Sequence, residues 1–382
     1  MGRRIGKRLK KIVMGLLVFW LVLATFEGCC SFALFVYDAA TSSKRPVAER
    51  IHTQHDPLVG WVNTPDTYVK DMYGPGVYLK TNARGFRNND NVDVKVPAGK
   101  VRMICSGDSF TLGYGVANDR TWCQALTRRD DRLETVNMGQ GGYGVDQAYL
   151  WYQRDGQGLD HDIHVLAFIT IDFLRMQTDN FQGYGKPMLR LADDGLVPDK
   201  VPVSKRSFYV PWLTQNAELI QQLKLVRAVG AVIRRLAGGA QSHVELSEEQ
   251  TQKLARKLFA DLQTVNRKKN SVLVLVYLPI REDYRAERPG PWRRFVRQVA
   301  AEMGIAFIDL IEDYQKIPPE EVPSLFLGRG VMGFPDAAGH YSVKGNEVIA
   351  GMLYDRLLEL PEVAAKLSPS RREGGDRPKA KP

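Results

Sequence analysis

The chain has 382 residues, 44% hydrophobic and 25% charged, enough for one large globular domain or two small ones. Its formal charge of +10 sits at the ends: residues 1–11 carry six Lys/Arg and no acid, residues 366–382 carry six Lys/Arg against Glu373 and Asp376, and the stretch between is neutral. A nucleic-acid surface needs its basic stripe on the folded body, so nucleic acid is excluded as the expected partner.

After the basic start comes IVMGLLVFWLVLATFEGCCSFALFVY, residues 12–37, whose one charge is Glu27. At about 1.5 Å per residue it is long enough to cross a bilayer as a helix. Positive charge before it and none just after it predicts an N-terminus in the cytoplasm. The expected order is a cytoplasmic segment (1–11), a single-pass transmembrane signal anchor (12–37), and a periplasmic, extracytoplasmic remainder. Two alternatives stay open: residues 12–25 as the apolar region of a cleaved signal peptide, and Cys29 as a lipid-modified cysteine, for which Phe26-Glu27-Gly28 is a poor lead-in. Glu27 either faces a helix of a membrane-protein partner or lies in a tilted or frayed stretch.

Residues 38–90 read as a polar linker and N-terminal extension, with Tyr68, Tyr73, Tyr78 and Phe86 among many Gly and Asn. From about residue 91 to 365 strands and helices alternate. VRMICS (101–106), LETVNMG (133–139), IHVLAFITID (163–172), SVLVLVYLPI (271–280) and IAFIDL (305–310) are short apolar runs of the kind buried parallel strands show. Residues 120–129, 145–156, a segment opened by Pro291 and ended by Gly304, and residues from about 343 to 360 read as helices. Such alternation predicts a three-layer α/β/α sandwich around a parallel sheet, flavodoxin-like in class. Residues 177–246 interrupt it as an insert, with a hairpin turning at Asp194-Gly195 and a helix near 213–237; a capping-box start at Ser247 follows. The insert leaves the sheet at a strand's C-terminal edge, where ligands bind in open α/β folds. Residues 366–382 read as a disordered basic tail.

Three segments fall at C-terminal strand ends. Gly107-Asp108-Ser109 would expose a serine at a strand-to-helix turn, with its own N–H free to donate to an oxyanion. Asn137 to Gly144, NMGQGGYG, is a glycine-rich loop, and FPDAAGHYSVKGNEVIA places Asp336 and His340 before the last helix. A serine needs a base, and the base an orienting acid. The DHDIH stretch (160–164) reads as a polar loop entering a strand rather than as metal ligands, and no cysteine spacing resembles a zinc site. Cys105 and Cys123 read as buried free thiols.

Taken in order, GDSFTLGYGVANDRTWCQAL, TNARGFRN, NMGQGGYGVDQ, KPMLRLADDGL and HYSVKGNEVIA resemble the exported bacterial branch of the SGNH, or GDSL-type, hydrolases over roughly residues 80–360. The resemblance implies Ser109 as nucleophile, His340 as its base, Asp336 as the orienting acid, and an oxyanion hole from the N–H groups of Ser109 and Gly142. The family's third block carries an Asn donor; here the strand end reads FITIDFLRM, and Asp172 or Thr170 falls nearest that slot. The family's acid stands three residues before its His, whereas Asp336 stands four before His340. The implied activity is a membrane-anchored serine esterase or O-acyltransferase, working through an acyl-serine on O-acyl esters, acetyl foremost, of envelope carbohydrate. It needs no cofactor and no metal. A catalytically degenerate domain that binds glycan or a partner protein is the alternative, and an esterase acting on lipid a further one.

Overall fold

The structure is a computed structural model, in which residues 2–41, 51–182, 184–193, 195–204, 245–332 and 334–368 are described. The expected helix at 213–237, residue Asp194 of the expected turn, and residues 369–382 lie outside them. Two compact units are separated by chain contacts. One contains helix α1 (Gly2–Thr41), of which Lys10–Ala33 is long and apolar enough to cross a membrane.

The other unit is the body. In chain order its elements are the hairpin β1 (Thr53–Asp56) and β2 (Gly60–Asn63), the short pair β3 (Tyr68–Val69) and β4 (Leu79–Lys80), β5 (Val101–Gly107), α2 (Ser109–Leu112), α3 (Trp122–Arg129), β6 (Leu133–Gly139), α4 (Val145–Trp151), β7 (Ile163–Phe168) and α5 (Thr170–Arg175). There follow β8 (Asn180–Phe181), β9 (Tyr184–Gly185), the hairpin β10 (Met188–Ala192) and β11 (Gly195–Asp199), α6 (Glu248–Lys268), β12 (Val272–Tyr277), α7 (Pro291–Met303), β13 (Ala306–Asp309), α8 (Leu310–Tyr314), α9 (Val343–Leu358) and α10 (Pro361–Leu367).

Five of these strands form one parallel sheet in the order β13-β12-β7-β5-β6. Side chains alternate across it, as strand pleating requires. Ile104, Leu166 and Leu275 point to a core shared with α4, α6 and α7, while Met103, Val165 and Val274 point to a second core shared with α3 and α9. The expected three-layer α/β/α sandwich is therefore present. Chain order reverses between β5 and β7, and loops leaving neighbouring strands in opposite directions open a crevice at that switch point. Ser109 follows β5 and Asp172 follows β7, one on each side of it.

Several boundaries differ from the sequence expectation for local reasons. The third strand stops at Phe168, because the Asp172 carboxylate accepts the Ile169 N–H at 3.0 Å and starts α5 there. Ala192 pairs with Gly195, so Gly195 opens the second strand of the hairpin. Residues 53–63 are a hairpin rather than linker: Trp61 is fully buried in the α4-side core. Lys366 and Leu367 close α10 instead of opening a tail.

Candidate active site

Ser109 stands where β5 ends in Gly107 and α2 begins. Asp108 is the N-cap of α2: its Oδ1 accepts the Phe110 N–H at 2.8 Å. Ser109 is thus the first residue of the helix, and its own N–H has no acceptor within it. Gly113 ends this single turn in the left-handed region (φ 86°), and Arg87, fully buried, donates to the carbonyls of Leu112, Gly113 and Val116 and to Asn118 Oδ1. The TNARGFRN segment therefore clamps the turn that carries the serine.

His340 arrives from 231 residues away and places Nε2 2.7 Å from Ser109 Oγ. Its backbone is held by Leu327, whose N–H donates to the His340 carbonyl, and by an isolated bridge between Phe326 and Tyr341. Its ring lies between Phe110, with centroids 4.6 Å apart, and Tyr114, 5.2 Å away. Burial pushes the imidazole down to about 4; the Asp108 carboxylate, the Ala337 carbonyl and Asp336 oppose that, while Arg175 adds to it. At neutral pH the ring is uncharged and able to take a proton from Ser109.

Among the described residues no hydrogen bond joins Asp336 to His340 Nδ1. Asp336 sits in a 3-10 turn, Pro335–Ala337, and the buried Nδ1 of His340 makes no hydrogen bond. The extra residue between acid and base is taken up by that turn, and the influence of Asp336 on the ring is a field weaker than that of Asp108.

Gly142 occupies the left-handed region (φ 77°), and a Cβ there would meet the Phe181 ring at 2.5 Å. Its N–H makes no hydrogen bond among the described residues. The loop around it is fastened from behind: Trp61 Nε1 donates to the Gly141 carbonyl at 2.8 Å, Tyr143 Oη to the Trp61 carbonyl at 2.5 Å, and Gln140 Nε2 to Asn63 Oδ1 at 2.9 Å.

The expected oxyanion role of Asp172 is corrected by its contacts. Oδ2 accepts the Ile169 N–H at 3.0 Å and Oδ1 accepts Arg175 Nη1 at 2.7 Å, so the carboxylate serves as a helix cap and counter-ion. Burial, then the neighbouring Asp108 carboxylate, push its pKa well up, against Arg175 and the Ile169 N–H. Thr170, the other residue near that slot, bonds Tyr277 Oη at 2.7 Å. The same Arg175 Nη1 reaches Asp108 Oδ2 at 3.3 Å and the Tyr143 carbonyl at 3.0 Å. Asp108 and Tyr114 lay within the GDSFTLGYGV motif without an assigned role, and Trp61 carried no motif signal; the position of Arg175, one turn after Asp172, could have flagged it.

Residues 161–164 of the DHDIH stretch are buried. His164 Nε2 bonds Ser106 Oγ at 2.7 Å, Asn266 Nδ2 bonds His164 Nδ1 at 3.2 Å, and His161 Nε2 bonds Asn266 Oδ1 at 3.1 Å. Residues 160–162 form the loop that enters β7, as expected, and the two histidines are tied into a buried polar knot. Among the described residues no group of His, Cys, Asp and Glu is arranged to hold a metal ion, and Cys105 and Cys123 are buried free thiols.

No family model and no curated protein matches the sequence. The chain is similar to the solved structure of an acetyl xylan esterase, AlAXEase, at 16% identity over 67% of this chain and 98% of that one, TM-score 0.38. It is similar to a putative lipolytic protein of the G-D-S-L family from Desulfitobacterium hafniense, at 13% over 67% and 99%, TM-score 0.36. A two-domain esterase active on acetylated mannans matches at 11% over 72% and 52%, TM-score 0.38. What this chain can catalyse follows from its own side chains.

Proposed function

We propose that the protein is an SGNH-type serine hydrolase acting on O-acyl esters, acetylated carbohydrate first among them. The observation that carries this reading is the 2.7 Å contact between Ser109 Oγ and a neutral, buried His340. Ser109 Oγ attacks the ester carbonyl as His340 Nε2 takes its proton. The carbonyl oxygen, now an anion, is met by the N–H groups of Ser109 and Gly142. Collapse expels the alcohol, which recovers the proton from His340 and leaves acyl-Ser109. Water, deprotonated by His340, then releases the acid; a sugar hydroxyl in place of water makes the same protein an O-acyltransferase. The α1 helix and its basic flank support a single-pass anchor that holds the body on the periplasmic side.

Acetate release from acetylated xylo- and manno-oligosaccharides tests the reading. Ser109→Ala is expected to lower kcat by at least about 10³-fold at unchanged folding. Equal rates in parent and variant would favour the second reading, a glycan-binding domain without catalysis, for which the unbonded His340 Nδ1 is the supporting observation.

A further inference from the structure

We propose that Arg175 supplies the third oxyanion donor, in the place where this chain has no side-chain amide. The inference rests on the serine reading above. Asp172 has both oxygens engaged as acceptors and offers no N–H to the site. Arg175, one helical turn later, turns its guanidinium back toward the loops that carry Ser109 and Gly142. One contact of 3.3 Å joins Nη1 to Asp108 Oδ2, and one of 3.4 Å joins that oxygen to Ser109 Oγ. On the other side Nη1 meets the Tyr143 carbonyl, directly after Gly142. The Phe181 ring fixes the same geometry from below: it packs on Gly142 and lies 5.3 Å from Arg175 Cζ.

Nη1 takes all the acceptors that Arg175 has among the described residues. Nε is buried and has no partner. A buried N–H without an acceptor carries an uncompensated desolvation cost, and an oxyanion formed within reach of the guanidinium would remove that cost only in the transition state. That is the condition under which a donor raises kcat rather than substrate affinity. The cation also acts through its charge. Asp108 Oδ2 lies 3.4 Å from Ser109 Oγ, and without Arg175 its negative charge would oppose the developing alkoxide.

The test compares the parent with Arg175→Lys, which keeps the counter-charge for both carboxylates but loses the planar fork. The readouts are kcat and KM on an aryl acetate, and inhibition by an alkylboronic acid, whose Ser109 adduct is a tetrahedral anion. Competent sites are counted by fluorophosphonate titration, so a partly folded variant is compared per site. Expected is a fall on the order of 100-fold in kcat and in boronate affinity, with KM within about threefold. Arg175→Met with Asp172→Ser, which removes the cation and one carboxylate together without placing an amide in that slot, guards against a folding failure and is expected to show the same split. Unchanged boronate affinity, or KM and boronate affinity moving together with thermal stability, would overturn the proposal and leave Arg175 a structural counter-ion. A parent that fluorophosphonate does not label overturns the serine reading itself, a distinguishable result.

Discussion

At Ser109 the hydroxyl stays free of the helix cap because Asp108, and not Ser109, caps α2. A serine that capped the helix itself would spend its oxygen on a backbone N–H. His340 completes the pair, and its ring is oriented by Phe110 and Tyr114 together with the hydrogen bond to Ser109. The folded-state pKa of about 4 is below the ordinary imidazole value, so the neutral base persists as pH falls and is lost only near that value. The acid limb of kcat/KM in the free enzyme is therefore expected nearer pH 4 than 6.5; a limb centred at the ordinary value would show that the ring is solvated. The meeting of Ser109 and His340 was legible in the sequence because each stands in a glycine-marked turn at a strand or helix end. The contacts of Asp336 and Asp172 were not, because both depend on where a turn places a carboxylate, which one inserted residue or one helix cap changes.

At the scale of elements, the hairpin β1–β2 supports the loop that carries Gly142. Its Trp61 holds the Gly141 carbonyl, and its Asn63 holds Gln140, so that loop is braced by residues some eighty positions upstream. Trp61→Phe deletes the donor together with part of the buried ring volume. It is expected to cost about 2–3 kcal/mol of stability and to lower kcat several-fold with little change in KM. A change confined to Tm would show that the brace serves folding alone. This role was hidden because the segment is short and polar at its ends, and a four-residue strand gives no periodicity to read. The five sheet strands were legible, since runs buried on both faces are apolar throughout.

For the whole molecule, the switch point between β5 and β7 explains why three distant segments meet, and that was predictable from strand–helix alternation alone. The buried knot of His161, His164, Ser106, Asn266 and Tyr152 was not. Burial pushes His161 down and His164 well down, so the folded state keeps both neutral. Above the ordinary imidazole value neither state binds these protons. As pH falls below about 6.5 the unfolded chain takes them up first, and stability drops. Denaturant midpoints are expected to fall steadily from about pH 6.5 to 5, and His164→Asn to flatten that slope; an unchanged slope would remove the knot as its cause.

The central claim, that Ser109 is a nucleophile driven by His340, is tested most directly by fluorophosphonate labelling of the full chain, mapped by peptide mass spectrometry. The account predicts stoichiometric labelling at Ser109 in the parent, none in Ser109→Ala, and labelling slowed by at least about 10²-fold in His340→Ala. An unlabelled parent, or equal labelling of parent and His340→Ala, would contradict it.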